Sequence, residues 1–285
     1  LISCKKILID QMKKNKFKKK INILELNKLK KYNLNNNSLN LIDIECQKYN
    51  KTFTTKLTNQ YIDSSFKLAL NLIKKKFSNK LINGPINKKS FLNKKFLGIT
   101  EYISKKYKSN KTAMLIYNKD LSVCPVTTHL PIKLVAKYVT KKLIEEKINI
   151  IDAFFRRNLN YKPKIAVSGM NPHCESILKF NEDDKIVSKA VITQKKSGID
   201  VSGPYSADTI FLKKNRDKFD VILGMYHDQV LGPIKTLYEF DAINITMGLP
   251  FLRVTPDHGP NEKMLGKNIS NPISLINALN FLDKH

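Results

Sequence analysis

Two kinds of apolar pattern take turns along this chain, and their order constrains the fold more than any other feature. Short apolar runs such as 164–168 (KIAVS) and 219–223 (FDVIL) stop abruptly on polar turns. Between such runs lie stripes with helical spacing. Across 61–77, Ile62, Phe66, Ala69, Leu70, Ile73 and Phe77 fall on one helix face. The strand-like piece 80–82 ends at Asn83-Gly84-Pro85, and 113–117 and 121–126 are joined by Asn118-Lys119-Asp120 as a hairpin. Pro131 opens a helix with Ile132, Val135, Val139 and Leu143 on one face, and a second helix covers 148–159. Near the end, Asn271 caps a helix with Pro272 in its first position and Ile273, Ile276 and Leu279 inward. The first sixty residues are lysine-rich, with short strands predicted at 21–26 and 39–44. Strands alternating with helices predict an α/β fold with a largely parallel sheet. With no internal repeat and no long linker, any division into domains runs by chain crossover.

At 285 residues, 42% of them apolar, the chain can bury a sizeable core. No apolar run approaches the ~20 residues that span a bilayer, and lysines interrupt the short apolar start, unlike a signal peptide. Cys4, Cys46, Cys124 and Cys174 are scattered without a CxxC pair, as in reduced cytoplasmic proteins. The formal charge of +27 raises nucleic-acid or anionic-membrane binding. Lysine rises together with asparagine and isoleucine throughout, however, while arginine is scarce, which favours solvated lysine faces. The expectation is a cytoplasmic protein with no nucleic-acid or membrane partner, whose basic surface attracts a phosphorylated small molecule.

The candidate chemistry gathers where strands end. His129 (VTTHLP), His173 (SGMNPHCES) and His227 (GMYHDQ) each follow an apolar run, and His258 lies in TPDHGPN. In a parallel sheet such turns lie on the carboxyl edge, where open α/β sheets bind ligands. Three histidines there suit a divalent metal with an open position, although a single histidine at a strand end is more often structural. Lys235, Asn244 and Arg253 lie within twenty residues of one another and suit a phosphate or carboxylate; the alternative is that Lys235 and Arg253 are surface charges. Asp208 (SGPYSADTIF) is either a site acid or a helix cap, and Asp257 braces a turn before Gly259. No GxGxxG follows a strand and no GxxxxGK[ST] occurs, which excludes a standard dinucleotide loop and a P-loop. Cys174 next to His173 is not a nucleophile–base pair by adjacency alone.

As a set, NGPINKK (83–89), GITEY (98–102), TTHLP (127–131), SGMNPHCE (168–175), GPYSADTIF (203–211), GMYHDQ (224–229), INITMGLPFLR (243–253) and PDHG (256–259) resemble the 4-hydroxythreonine-4-phosphate dehydrogenase family, in its order and at about its spacing. The resemblance implies two α/β/α domains with a cleft, as in isocitrate and isopropylmalate dehydrogenases, expected here as 1–98 plus 241–285 and 99–240. It implies a divalent ion (Zn, Mg or Co) on His129, His173 and His227, at a homodimer interface with ligands from both subunits. Thr100, Lys235, Asn244 and Arg253 then correspond to substrate contacts, Lys235 and Asp208 are the catalytic candidates, and Asp228 and Gln229 support His227. The implied reaction is NAD-dependent, or NADP-dependent, oxidation of 4-phosphooxy-L-threonine in pyridoxine 5'-phosphate biosynthesis. A sister dehydrogenase of phosphothreonate or phosphoerythronate, or a non-catalytic relative, are the alternatives. Two departures stand out: the family's Gly-His-Thr-Glu reads Gly98-Ile99-Thr100-Glu101 here, and its opening strand with a glycine-rich turn has no counterpart.

Overall fold

The computed structural model describes residues 1–46, 55–92, 96, 98–109, 111–177, 180–260, 262–264, 267 and 269–285. The chain forms two compact units, Leu1–Ser78 with Lys88–Asn93, and Asn79–Asn87 with Lys94–His285.

The smaller unit contains β1 (Ile2–Ser3), α1 (Lys5–Lys14), β2 (Ile21–Ile23), β3 (Leu39–Asp43), α2 (Thr55–Lys74) and α3 (Lys88–Leu92). Its three strands run parallel in the order β1-β3-β2. The two short strands predicted at 21–26 and 39–44 are β2 and β3. The apolar stripe of 61–77 becomes α2, burying Phe66, Ala69, Leu70 and Ile73; the helix ends at Lys74 and leaves Phe77 partly exposed.

The larger unit holds β4 (Lys80–Ile82), α4 (Ile99–Tyr107), β5 (Ala113–Tyr117), β6 (Ser122–Thr127), α5 (Ile132–Tyr138), α6 (Lys141–Phe154), β7 (Ile165–Ser168), α7 (Ser188–Lys196), β8 (Val201–Tyr205), α8 (Lys213–Arg216), β9 (Val221–Tyr226), α9 (His227–Tyr238), β10 (Ile243–Met247), β11 (Leu252–Pro256) and α10 (Ile273–Lys284). The strands make one sheet in the order β4-β11-β10-β5-β6-β9-β7-β8. It is mixed rather than largely parallel. The β6-β9-β7-β8 half and the β4–β11 pair are parallel, whereas β5–β6, β5–β10 and β10–β11 are antiparallel. The tight connections of β5–β6 and β10–β11 leave no room for the crossover that parallel pairing requires. Gly248 sits in the second of these with φ +83°, hard against the Lys111 carbonyl, where a side chain has no space.

The compact units follow other boundaries than the division at 98 and 240 read from sequence. Because β10 pairs with β5, the segment after 240 belongs to the same sheet as β6 to β9.

Alternating residues of the central strands face two apolar layers. Leu115, Cys124, Val167, Leu223 and Ile245 pack with Ile144, Ile148 and Ile151 of α6. Ile116, Val123, Ala166 and Ile222 pack with Val230 and Ile234 of α9. Burial on both faces explains why these strands read as unbroken apolar runs.

Two helix readings are corrected. The apolar face traced from Ile132 to Leu143 crosses two helices: Val139 leaves the helical region, and Thr140 starts α6 by accepting from the Leu143 amide. In α10, Ile273, Ile276 and Leu279 point outward, and the buried side is Ser274, Ala278, Phe281 and Leu282. Ser274 displaces the isoleucines because its hydroxyl donates to the Ala242 carbonyl (2.6 Å) and accepts from the Asp257 amide (2.8 Å). Among the described residues no helix is long and apolar enough to cross a membrane.

Candidate functional site

Strands β6, β9, β7 and β8 run in one direction, and the turns after their carboxyl ends carry His129, His227, His173 and Asp208 respectively. Because β6 and β9 are hydrogen-bonded neighbours, their histidines meet. The His129 and His227 rings lie 6.0 Å apart between centroids, tilted by 37°. His227 Nδ1 is 2.6 Å from Asp228 Oδ1, a contact that orients the ring and leaves the opposite nitrogen for another partner. Gln229 Oε1 accepts from the Met225 amide and its Nε2 donates to the Gly169 carbonyl, each at 2.7 Å, tying the end of β9 to the loop after β7. The HDQ run thus supplies an imidazole, its orienting acid and a cross-strand tie.

His173 lies on that next loop. It is exposed, and both it (φ 56°) and Cys174 (φ 60°) are left-handed, a conformation costing about 1–2 kcal/mol per non-glycine residue. The loop is held by Asp183, a fully buried carboxylate that accepts from the Met170 amide (2.6 Å), the Asn171 amide (2.9 Å) and Asn171 Nδ2 (3.0 Å). Asp208, exposed after β8, acts with Asp183 on Cys174, whose thiol is raised first by burial and then by these charges. The structure therefore joins two of the three candidate ligands. Among the described residues, no group of three or more His, Cys, Asp or Glu converges as a metal site. Replacing Asp183 by alanine strands two backbone donors and is expected to cost about 2–4 kcal/mol. Urea unfolding measures this, and an unchanged midpoint would show that the loop is not braced there.

Beside His129 lies a polar face built on β10 and β11. Alternation puts Ile243, Ile245 and Met247 into the apolar layer, and Asn244 and Thr246 on the opposite face. Thr246 pairs across strands with Arg253, which is 3% exposed. Arg253 Nη1 donates to Thr246 Oγ1 (2.6 Å) and Thr100 Oγ1 (3.3 Å), while Nε (3.2 Å) and Nη2 (2.9 Å) both donate to Asn83 Oδ1. All these acceptors are neutral. Burial pushes the guanidinium down to about 10, with Glu101 opposing from a distance, so it stays charged at neutral pH. Thr100 lies in the first turn of α4, whose free amides favour an anion.

Glu101 links this face to the histidines. Its Oε1 lies 3.6 Å from His129 Nδ1, longer than a hydrogen bond, and accepts from Thr128 Oγ1 at 3.4 Å. Burial pushes its carboxyl up, but His129, its own amide and Thr128 together hold it below the usual range. Gly98 makes room, since a Cβ there would stand 2.6 Å from Glu101 Oε2 and 2.9 Å from His129 Cε1. Glu101 Oε2, His129 Nδ1 and Asn244 Oδ1 are buried without a hydrogen-bond partner. Such atoms are costly unless a ligand engages them. Lys235, two turns along the helix that His227 begins, donates to the Asp257 carbonyl (2.7 Å) and pairs with its carboxylate. Burial raises the Asp257 carboxyl, against Lys235, His258 and His227. Asp257 is thus tied to Lys235 rather than only bracing a turn. His258 Nδ1 faces the Gly259 carbonyl at 3.0 Å.

Ile99, in place of the expected histidine, is 6% exposed and turned into the protein. Sequence reasoning assigned no role to Asn83, Glu101, Thr246 or Asp183. The signal for Thr246 was present: INITM alternates apolar and polar residues in a buried strand.

Comparison with known proteins agrees with these motifs. The family model described as pyridoxal phosphate biosynthetic protein PdxA matches residues 2–282. The chain is similar to 4-hydroxythreonine-4-phosphate dehydrogenase of Sulfurihydrogenibium sp. (strain YO3AOP1), 37% identical over 247 residues, or 85% of this chain and 74% of that protein. The enzyme of that name from Methylorubrum extorquens (strain PA1) is 40% identical over 168 residues, 58% of this chain and about half (48%) of its own length. Among solved structures, a putative 4-hydroxythreonine-4-phosphate dehydrogenase from Salmonella typhimurium superposes with a TM-score of 0.84 at 27% identity, covering 98% of this chain and 87% of that one.

Proposed function

The chain belongs to the PdxA family of pyridoxal phosphate biosynthetic proteins, and from that premise we propose that it oxidises the secondary alcohol of 4-phosphooxy-L-threonine with NAD. The product is a 2-amino-3-oxo acid, which loses carbon dioxide to give 3-amino-2-oxopropyl phosphate. The observation that carries this reading is a buried, charged Arg253 ringed by neutral oxygens at the start of α4, within one polar cluster with His129 and His227.

Arg253, Thr100 and Asn244 hold an anionic group of the substrate, by charge-assisted hydrogen bonds and the α4 amides. The orphaned atoms and paired imidazoles fit a divalent ion, which His129 and His227 would hold, with His173 of a second copy completing the set. When bound, the ion supplies positive charge that polarises the reacting oxygen. Oxidation needs a hydride acceptor and a proton acceptor. NAD, when bound, would supply the acceptor for the hydride that leaves the substrate carbon. The hydroxyl proton passes to Lys235 Nζ as Lys235 hands one of its own protons to the paired Asp257 carboxylate, whose burial favours the protonated form. Asp208 is the second candidate acceptor, on the loop facing the His173 turn. Loss of carbon dioxide then needs only that the new carbonyl take the electron pair.

The expected result is NADH formation when the purified chain is given NAD, a divalent metal and 4-phosphooxy-L-threonine, abolished by a chelator. Buried Ile99 gives one reason to include phosphothreonate and phosphoerythronate in the panel, since the side chain the family places there cannot select between them here. Turnover unaffected by chelation, or confined to a non-phosphorylated alcohol, would sink the proposal.

A further inference from the structure

A buried arginine ordinarily sits against a carboxylate, because a paired charge escapes much of the penalty of leaving water. Arg253 does not. Its fork is filled by an amide oxygen and two hydroxyls, and the nearest acid, Glu101, is turned toward His129 and Thr128. Position 83 is where a carboxylate would fit by shape, since aspartate has the outline of asparagine and its Oδ1 would stand where Asn83 Oδ1 stands; the exchange gives up only the donation from Asn83 Nδ2 to the exposed Gly84 carbonyl (2.9 Å). The turn after β4 brings that oxygen to both Nε and Nη2, fixing the plane of the guanidinium and aiming Nη1 toward Thr100 and Thr246. A carboxylate there would aim the fork equally well but cancel its charge. An incoming dianion would then meet a pair with no net charge.

We infer that Asn83 is a positioning and specificity residue of the anion site: it orients Arg253 without neutralising it, so that the site selects substrates carrying a phosphate dianion. This rests on the reading that Arg253 holds the substrate's anionic group. The two hydroxyls complete the same design, because neutral acceptors hold the fork in place while leaving its charge to the ligand.

The test is the isosteric exchange Asn83→Asp, read by calorimetric titration with inorganic phosphate and by steady-state kinetics on the phosphorylated alcohol. Asn83→Asp is expected to weaken phosphate binding about 10- to 100-fold, the range of one charge-assisted contact. KM should rise by a similar factor and kcat change less. Asn83→Ser, which keeps a neutral acceptor, is expected to stay within about tenfold of the wild type. A purely structural role for Asn83 predicts the reverse order, with Asn83→Asp the milder change. Should Asn83→Asp not fold, Asn83→Glu against Asn83→Gln gives the same contrast of charge at constant shape. Equal phosphate affinity in the charged and neutral members of either pair overturns the inference. Wild-type chain that binds no phosphate, or binds it equally well after Arg253→Met, overturns the Arg253 reading itself, a result distinct from the first.

Discussion

Arg253→Met is expected to abolish turnover while leaving the fold about as stable as before. The two effects have separate physical origins. The folded chain holds a guanidinium that is 3% exposed and has no carboxylate in hydrogen-bond contact. Burying a cation costs several kcal/mol, and replacing buried charges by apolar side chains of similar volume is often neutral or stabilising. Against that gain, Asn83 and Thr246 lose a donor, at about 1–3 kcal/mol for each buried acceptor left unmade. The terms oppose each other, so the unfolding midpoint should move by no more than about 2 kcal/mol in either direction. Function has no such offset, because losing a desolvated charge contact with a substrate anion costs about 3–5 kcal/mol, or 10²- to 10⁴-fold in kcat/KM. Arg253→Lys keeps the charge but lacks the planar fork, and should fall between the two. Urea unfolding and NADH formation on the same preparations decide the matter. A variant that is strongly destabilised yet active would mark Arg253 as a structural residue.

The same opposition explains which parts of the site were legible in the sequence. Histidines after strand ends could be found because β6, β7 and β9 announce themselves as apolar runs, and the residue after such a run lies at a sheet edge. That His129 and His227 would be neighbours was not readable, since it depends on β6 pairing with β9, across almost a hundred residues. Arg253 and Thr246 share an alternating pattern that a strand reading exposes. Asn83 does not, because its partner is 170 residues away and its turn looks like any other Asn-Gly-Pro. Asp183 was hidden for a related reason: it lies within a π-helical turn, Asp183–Val187, that no periodicity marks. The misread faces of α10 and of 131–143 share one cause. Helical spacing finds a stripe, but a serine or threonine that satisfies backbone groups decides which side is buried or where the helix restarts.

Mixing two inactive variants is expected to restore activity, and this follows from where His173 stands. His129 and His227 face each other within one chain, whereas His173 is exposed on a loop braced by Asp183 and tied through Gly169 to Gln229. The loop spends conformational energy on two consecutive left-handed residues, and strain of this kind persists where surrounding contacts enforce it. An exposed imidazole on so braced a loop, which among the described residues joins no three-ligand group of its own chain, is suited to complete a site on a second copy. The His173→Ala and His227→Ala variants should each lose turnover by at least about a hundredfold, since removing a ligand removes most of the metal affinity. In a mixed dimer, the His173→Ala chain contributes an intact His129–His227 pair and its partner contributes an intact His173. One site is then whole and the other lacks both groups. Unfolding and refolding equal amounts together gives half mixed dimers by chance, so about a quarter of wild-type turnover should return. Metal content measured on the refolded mixture should rise in step, a readout independent of catalysis. If all three histidines served one chain, every site in the mixture would lack a ligand and nothing would return. Recovery near a quarter, absent when His227→Ala is mixed with His129→Ala, would place the ligands on two copies, because those two substitutions damage the same half of each site.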